Sequence, residues 1–143
     1  MLIIYTTSIN CVSSKKAISW FKVNHIPYRV RIINKKYPLS KEEIKTFLLH
    51  TDNGFEDLYR KQSKFYKKID KVERLEECSI ERAIELICEN PLLLKETILL
   101  SEDKIAFGFS ENIGRRFIPK EQRKLERLML YRQLDFNNLK YGE

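Results

Sequence analysis

The chain has 143 residues, of which 43% are hydrophobic and 33% charged, and its formal net charge is +7. That length holds one domain with a small appended lobe rather than two independent cores, and the composition excludes a disordered chain. No run approaches the roughly 20 apolar residues of a membrane span, the short apolar start is not expected to act as a secretory leader, and the cations are spread along the chain rather than gathered into a basic arm.

Residues 2–6 form a short aliphatic run ending in Tyr5 and Thr6, as a buried strand does. The stretch 12–24 carries Ala17, Trp20 and Phe21 at helical spacing, and Asn24-His25 closes it ahead of Ile26-Pro27. Tyr28-Arg29-Val30-Arg31-Ile32 then alternates apolar and basic residues, the pattern of a strand with one wet face. Strand, helix, strand with short connections predicts a parallel β-α-β unit with a right-handed crossover.

Ser40 with Glu43 predicts a capping box ahead of a helix whose apolar face is Ile44, Phe47 and Leu48. Gly54 punctuates the chain and suits the left-handed end of that helix. A further helix is expected over 55–60, and 61–77 reads as a short helix plus a solvated connection. Ser79 opens another helix, with Ile80, Ala83, Ile84, Ile87 and Cys88 inward, and Asn90-Pro91 ends it. Ile98-Leu99-Leu100 and 104–109 then read as a hairpin turned by Ser101-Glu102-Asp103.

A helical turn over 110–116, a break at Pro119 and a final helix over 120–134, with Leu125, Leu128 and Met129 inward, complete the pattern. The fold class expected is α/β, a thioredoxin-like mixed sheet flanked by helices with an inserted helical lobe. Residues 1–38 and 92–134 would form the discontinuous core, 39–91 the lobe and 135–143 a frayed polar tail.

The cysteines number three, Cys11, Cys78 and Cys88, at spacings that make no disulfide framework, which favours the cytoplasm. Neither His25 nor His50 has metal-ligand spacing to a cysteine or another histidine, so no metal and no cofactor is expected. Cys88 falls on an inward helix face and reads as core, and Cys78 as incidental. Cys11 is different. It lies where a strand gives way to a helix, beside unpaired N–H groups and the cations Lys15 and Lys16, and both favour a charged sulfur. Ser14 holds the place where a second cysteine would complete a C-x-x-C pair.

These residues resemble the Spx and arsenate-reductase-like family of thioredoxin-fold proteins, and Spx regulators most closely. The resemblance runs nearly end to end. It includes Ile4-Tyr5-Thr6, Cys11-x-x-Ser14-Lys15-Lys16-Ala17, Trp20 and Ile26-Pro27-Tyr28. It continues through Pro38-Leu39-Ser40, Glu43-Ile44-Lys45, Thr51-Asp52-Asn53-Gly54, Ser63-Lys64 and Asn90-Pro91-x-Leu93-Leu94. Gly108-Phe109 and Arg115-Arg116-Phe117-Ile118-Pro119 complete it, the last string being the most specific.

The resemblance implies a stress-response transcription regulator that binds the C-terminal domain of the RNA polymerase α subunit. Gly54 stands in the place of a glycine that seats this partner, and Lys64, Tyr5 and Lys15 are expected beside it. It also implies hand-over to Clp proteases, although Tyr141-Gly142-Glu143 does not resemble the short apolar tail used for that purpose. Arg115, Arg116, Arg123, Lys124 and Arg127 are read as a solvated basic face, with weak promoter contact only inside the polymerase complex.

Three departures bear on chemistry. Ser14 removes the intramolecular disulfide switch, Glu96 stands where the family has an oxyanion-binding arginine, and Thr97 where it has a proline, usually cis. An anion there repels arsenate and opposes the helix terminus at Cys11. The expected function is therefore non-catalytic. The alternative is a monothiol arsenate reductase or glutaredoxin-dependent oxidoreductase using Cys11, and a third reading is a decoy that occupies polymerase unproductively.

Overall fold

The computed structural model describes residues 1–141, and side chains as far as residue 134. β1 (Leu2–Thr6), α1 (Val12–Val23) and β2 (Tyr28–Ile32) make the β-α-β unit, with Leu2 opposite Tyr28 and Thr6 opposite Ile32 in parallel register. Then come α2 (Lys41–His50), α3 (Phe55–Leu58), α4 (Lys64–Val72) and α5 (Ile80–Glu89), with 3-10 turns at Leu75–Glu77 and Pro91–Leu93. β3 (Ile98–Leu100), β4 (Ile105–Phe107), α6 (Glu111–Arg115) and α7 (Lys120–Tyr141) follow. The sheet order is β2-β1-β3-β4, with β3 antiparallel to both its neighbours. It is a mixed sheet flanked by helices, as expected.

The two-residue period of β1 divides the core. Leu2 and Ile4 join Leu99 and Ala106 beneath Ala17, Phe21, Ile26 and Phe117. Ile3 and Tyr5 join Ile98 and Leu100 on the other face, beneath Ile44, Phe47, Leu58 and Ile87 of the 39–91 stretch. Tyr5 meets Phe47 edge to face at 4.8 Å between ring centroids, a geometry that suits the ring quadrupoles.

Local signals set several boundaries. The Ser40–Glu43 capping box forms, each partner accepting the other's backbone N–H. α1 ends with the Ile26 N–H donating to the Phe21 carbonyl (2.9 Å) and the His25 N–H to that of Lys22 (3.2 Å). That pairing defines a Schellman motif, with His25 at φ 55° where glycine is usual. Gly54, by contrast, does not end α2, which stops at His50 with Thr51 donating its hydroxyl to the Leu48 carbonyl. It opens α3 at φ 64° and ψ −131°, a region that a side chain's Cβ all but closes.

Elsewhere periodicity identified a helix or strand but not its depth. β2 pairs on one side only, and Val30 and Ile32 remain exposed while Ile33 takes the buried place. Arg31, read as part of a wet face, instead forks onto both Glu43 oxygens and donates to the carbonyls of Ile32, Tyr37 and Pro38. On α5, Leu86 is buried and Ile80, the first helical residue, is exposed. The largest difference is α7. Leu125, Leu128 and Met129 are more than half exposed, because among the described residues no element packs over this stretch of the helix. With neither glycine nor proline to break it, α7 also runs past residue 134 to Tyr141. Gly142 and Glu143, named in the tail reading, lie outside the described residues.

α6 approaches α1 at Gly114, where a Cβ would come within 2.8 Å of the Trp20 ring. Gly114→Ala is expected to lower stability by about 1–3 kcal/mol, read by urea denaturation. A change under about 0.5 kcal/mol would show that the ring yields freely. A second expectation concerns His50, whose Nδ1 lies 2.9 Å from the Thr46 carbonyl and Nε2 3.0 Å from that of Glu102. Only an imidazolium donates from both nitrogens, so its pKa is raised above 6.5, chiefly by the Thr46 bond and then by that to Glu102. A raised folded-state value stabilises below the unfolded pKa and is lost as pH climbs through the folded one. The melting-temperature advantage of wild type over His50→Gln should therefore shrink between about pH 5.5 and pH 8. A difference independent of pH would refute the linkage.

Candidate functional site

Cys11 is the N-cap residue of α1 and is half-buried. Its carbonyl accepts from the Lys15 N–H at 2.9 Å, and its thiol makes no capping hydrogen bond. Lys15 and Lys16 are exposed on the first turn. With Trp20, Val23 and Phe109 they line an open groove of about 650 Å³. The other two thiols are poor nucleophiles. Burial pushes both up from the ordinary cysteine value, and Glu73 adds to the effect at Cys78. Cys88 packs against the core as expected.

Ser14 is fully buried, and its hydroxyl is the centre of a chain of hydroxyls. Its Oγ donates to Thr6 Oγ1 at 2.7 Å and lies 2.7 Å from Thr97 Oγ1. Since a hydroxyl has one proton and that of Ser14 goes to Thr6, Thr97 must be the donor to Ser14. Thr6 in turn donates to the Ser8 carbonyl at 2.8 Å, in preference to the longer 3.2 Å approach to Glu96. The order Thr97 to Ser14 to Thr6 to Ser8 is thus fixed, and each bond polarises the next. It ties α1, the end of β1 and the approach to β3 into one knot.

Thr97 occupies φ 59°, a conformation costing a β-branched residue on the order of 1–3 kcal/mol. Its hydroxyl bond to Ser14, and the Gly108 N–H donating to its carbonyl at 2.8 Å, offset that strain. No signal in the sequence marks Thr97 as a structural partner of Ser14, since 83 residues separate them.

Beside this knot, Glu96 Oε1 accepts from Thr7 Oγ1 at 2.9 Å and from the Thr7 N–H at 3.4 Å. The donors of the loop after β1 are therefore turned toward an internal carboxylate. An incoming oxyanion meets a carboxylate there, and among the described residues no guanidinium donates to the same groups, which opposes arsenate chemistry.

The residues assigned to partner contact separate into two kinds. Lys64 is exposed at the first position of α4, behind the Ser63 cap that accepts from the Tyr66 N–H, and Gly54 is partly exposed at the start of α3. Lys15 is exposed. Tyr5 is not: it is 6% exposed and wedged against Phe47, which leaves little of it on the surface. A connection that the sequence did not suggest runs from the knot to this region. The Lys95 N–H donates to the Leu58 carbonyl and the Arg60 N–H to that of Leu93, both at 2.8 Å. The segment before β3 is thereby stitched to the corner between α3 and α4.

Ser14→Ala removes the middle hydroxyl and leaves two buried oxygens short of a partner. It is expected to cost about 1–3 kcal/mol in chemical denaturation, whereas Cys11→Ser should fall within about 0.5 kcal/mol of wild type. Equal effects of the two would dismiss the knot as a structural tie.

Among the described residues no helix is long and apolar enough to cross a membrane. The family model described as the ArsC family matches residues 6–117. The chain is 37% identical over 126 residues to the global transcriptional regulator Spx of Enterococcus faecalis, covering 88% of this chain and 92% of that protein. It is 35% identical to Spx 2 of Lactococcus lactis, with the same coverage. An ArsC family related protein from Bacteroides fragilis superposes with a TM-score of 0.67 at 21% identity, over 82% of this chain and 97% of that one, and so shares the fold. The chain belongs to the ArsC family and, within it, with the Spx proteins.

Proposed function

We propose that this protein is a cytoplasmic, non-catalytic transcription regulator that docks on the C-terminal domain of the RNA polymerase α subunit. One observation carries the reading. The positions where thiol chemistry needs a second sulfur and a cation hold a buried hydroxyl and a carboxylate, in a chain that aligns nearly end to end with Spx regulators. The groups needed to turn over an oxyanion or close an internal disulfide have been replaced by groups that stiffen the fold.

The docking surface in this reading is the corner around Gly54 and Lys64 together with the exposed start of α1 at Lys15. Gly54 leaves open space where a Cβ would project, so a partner's backbone can approach closely. Lys64 presents a cation at a helix end. Control by abundance, through Clp proteolysis, or by modification of Cys11 replaces the disulfide switch in this scheme.

Retention of the purified α C-terminal domain on immobilised protein tests the reading. Wild type should retain it. Gly54→Arg should lose it, but that change also strains a positive-φ position, so Lys64→Glu is the cleaner variant. A carboxylate in the first turn of α4 favours the helix, and lost binding would then report the surface and not the fold. Retention should fall by roughly tenfold or more if Lys64 forms a charge-assisted contact. Absence of wild-type binding, or full binding by both variants, would end this proposal.

A further inference from the structure

A hollow of about 570 Å³ opens at the end of β1 opposite Cys11, where four chain segments meet. These are the start of β1, the Ile26-Pro27 approach to β2, the β3–β4 turn, and the link between α6 and α7 with the first turn of α7. None of the residues assigned above to chemistry or to docking lines it.

Its floor is apolar. Leu2, Ile26 and Phe117 are core residues that also line the hollow, and the half-buried Ile118 joins them. Pro27 and Pro119 contribute exposed rings to the wall, and neither has an N–H to offer.

The rim is charged, and unevenly so. Its carboxylates are Glu102, which is 91% exposed and 3.7 Å from the N-terminal ammonium, and Asp103. Asp103 already has partners. The Ser101 hydroxyl donates to it at 2.9 Å and holds its carboxyl below the usual range, with Lys104 and Lys120 adding to the effect. The Lys104 ammonium stands 3.9 Å from Asp103, donates to the Arg116 carbonyl and lies 5.7 Å from the centre of the Phe117 ring. Arg123 uses one guanidinium nitrogen on the carbonyls of Arg115 and Arg116. Among the described residues neither Lys120 nor Arg123 has a carboxylate within 4 Å, so the α7 side of the rim is positive.

That pairing of floor and rim selects an occupant. A polyphosphate would give up its water against hydrocarbon, and a neutral hydrocarbon would leave the cations unused. An extended peptide would leave backbone N–H and C=O groups unpaired over side chains that hold neither donor nor acceptor. The volume is that of a small organic molecule. A planar ring brings large apolar area with few torsions to freeze, whereas an alkyl chain must surrender its own.

We infer that this hollow binds a small aryl carboxylate, its ring on Leu2, Ile26, Phe117 and Ile118 and its carboxylate at Lys120 and Arg123. The site goes beyond the regulator reading and does not depend on it.

Titration of the full chain with naphthoate, followed by nitrogen–proton correlation spectra, tests both location and charge. Wild type should bind with a dissociation constant of roughly 0.1–1 mM, and the shifted amides should centre on Leu2, Ile26 and Ile118. The matching neutral alcohol should bind at least about fivefold more weakly. Lys120→Glu should weaken naphthoate roughly tenfold and leave the alcohol unchanged. Lys124→Glu makes the same change of net charge on α7 outside the hollow and should alter naphthoate binding by less than about twofold. A carboxylate in the first turn favours the helix, and thermal melts confirm that both variants fold.

No saturable binding by wild type below about 5 mM would overturn the inference. So would equal binding of the alcohol, equal loss in the two variants, or shifts centred on the groove at Trp20 and Phe109. The titration omits the α domain, so its failure leaves polymerase docking standing, and the reverse holds as well.

Discussion

The Ser14 hydroxyl is the constraint around which the functional end of this molecule is organised. It is fully buried, has one proton to give, and lies 2.7 Å from each of two threonine hydroxyls on different elements. Removing such a group leaves polar atoms stranded where water does not reach, and that costs more than the bonds themselves are worth. The same contact holds Thr97 in its left-handed conformation and thereby aims the segment that carries Glu96. From there two backbone hydrogen bonds reach the α3–α4 corner. A position that would hold a redox sulfur in a C-x-x-C pair has become a permanent, non-reducible tie.

On the proposed reading, losing the chemistry and keeping the shape are linked. A disulfide between positions 11 and 14 would make the start of α1 respond to oxidants. A hydroxyl at position 14 cannot form that bond, which leaves Cys11 as a lone thiol at the start of α1. Glu96 completes the change, because its carboxylate takes the Thr7 donors that a bound oxyanion would otherwise use. What remains is a rigid end with exposed cations at Lys15 and Lys16 and a glycine corner nearby in the chain's hydrogen-bond network. Rigid, partly cationic surfaces suit recognition, since ordering costs on binding are small.

The corner at Gly54 and Lys64 depends on backbone shape, because a conformation open almost only to glycine sets how close a partner comes.

Much of this was legible in the sequence because it is local. The capping box at Ser40 and Glu43, the helix stop at Asn24-His25, the hairpin at Ser101-Glu102-Asp103 and the buried aliphatic run of β1 are signals within a few residues, and each formed as read. The likeness to Spx proteins was likewise carried by short strings. Depth was not legible. Tyr5 reads the same whether it lines a surface or is wedged under Phe47, and Leu125, Leu128 and Met129 have the spacing of a buried face although they are more than half exposed. Periodicity shows which residues share a side, and only the arrangement of neighbours decides whether that side is covered. The partnership of Ser14 with Thr97, and of Lys104 with Arg116 and Arg123, was decided by tertiary structure alone. Contacts between residues distant in sequence are fixed by how the sheet and helices close, and no local pattern records them.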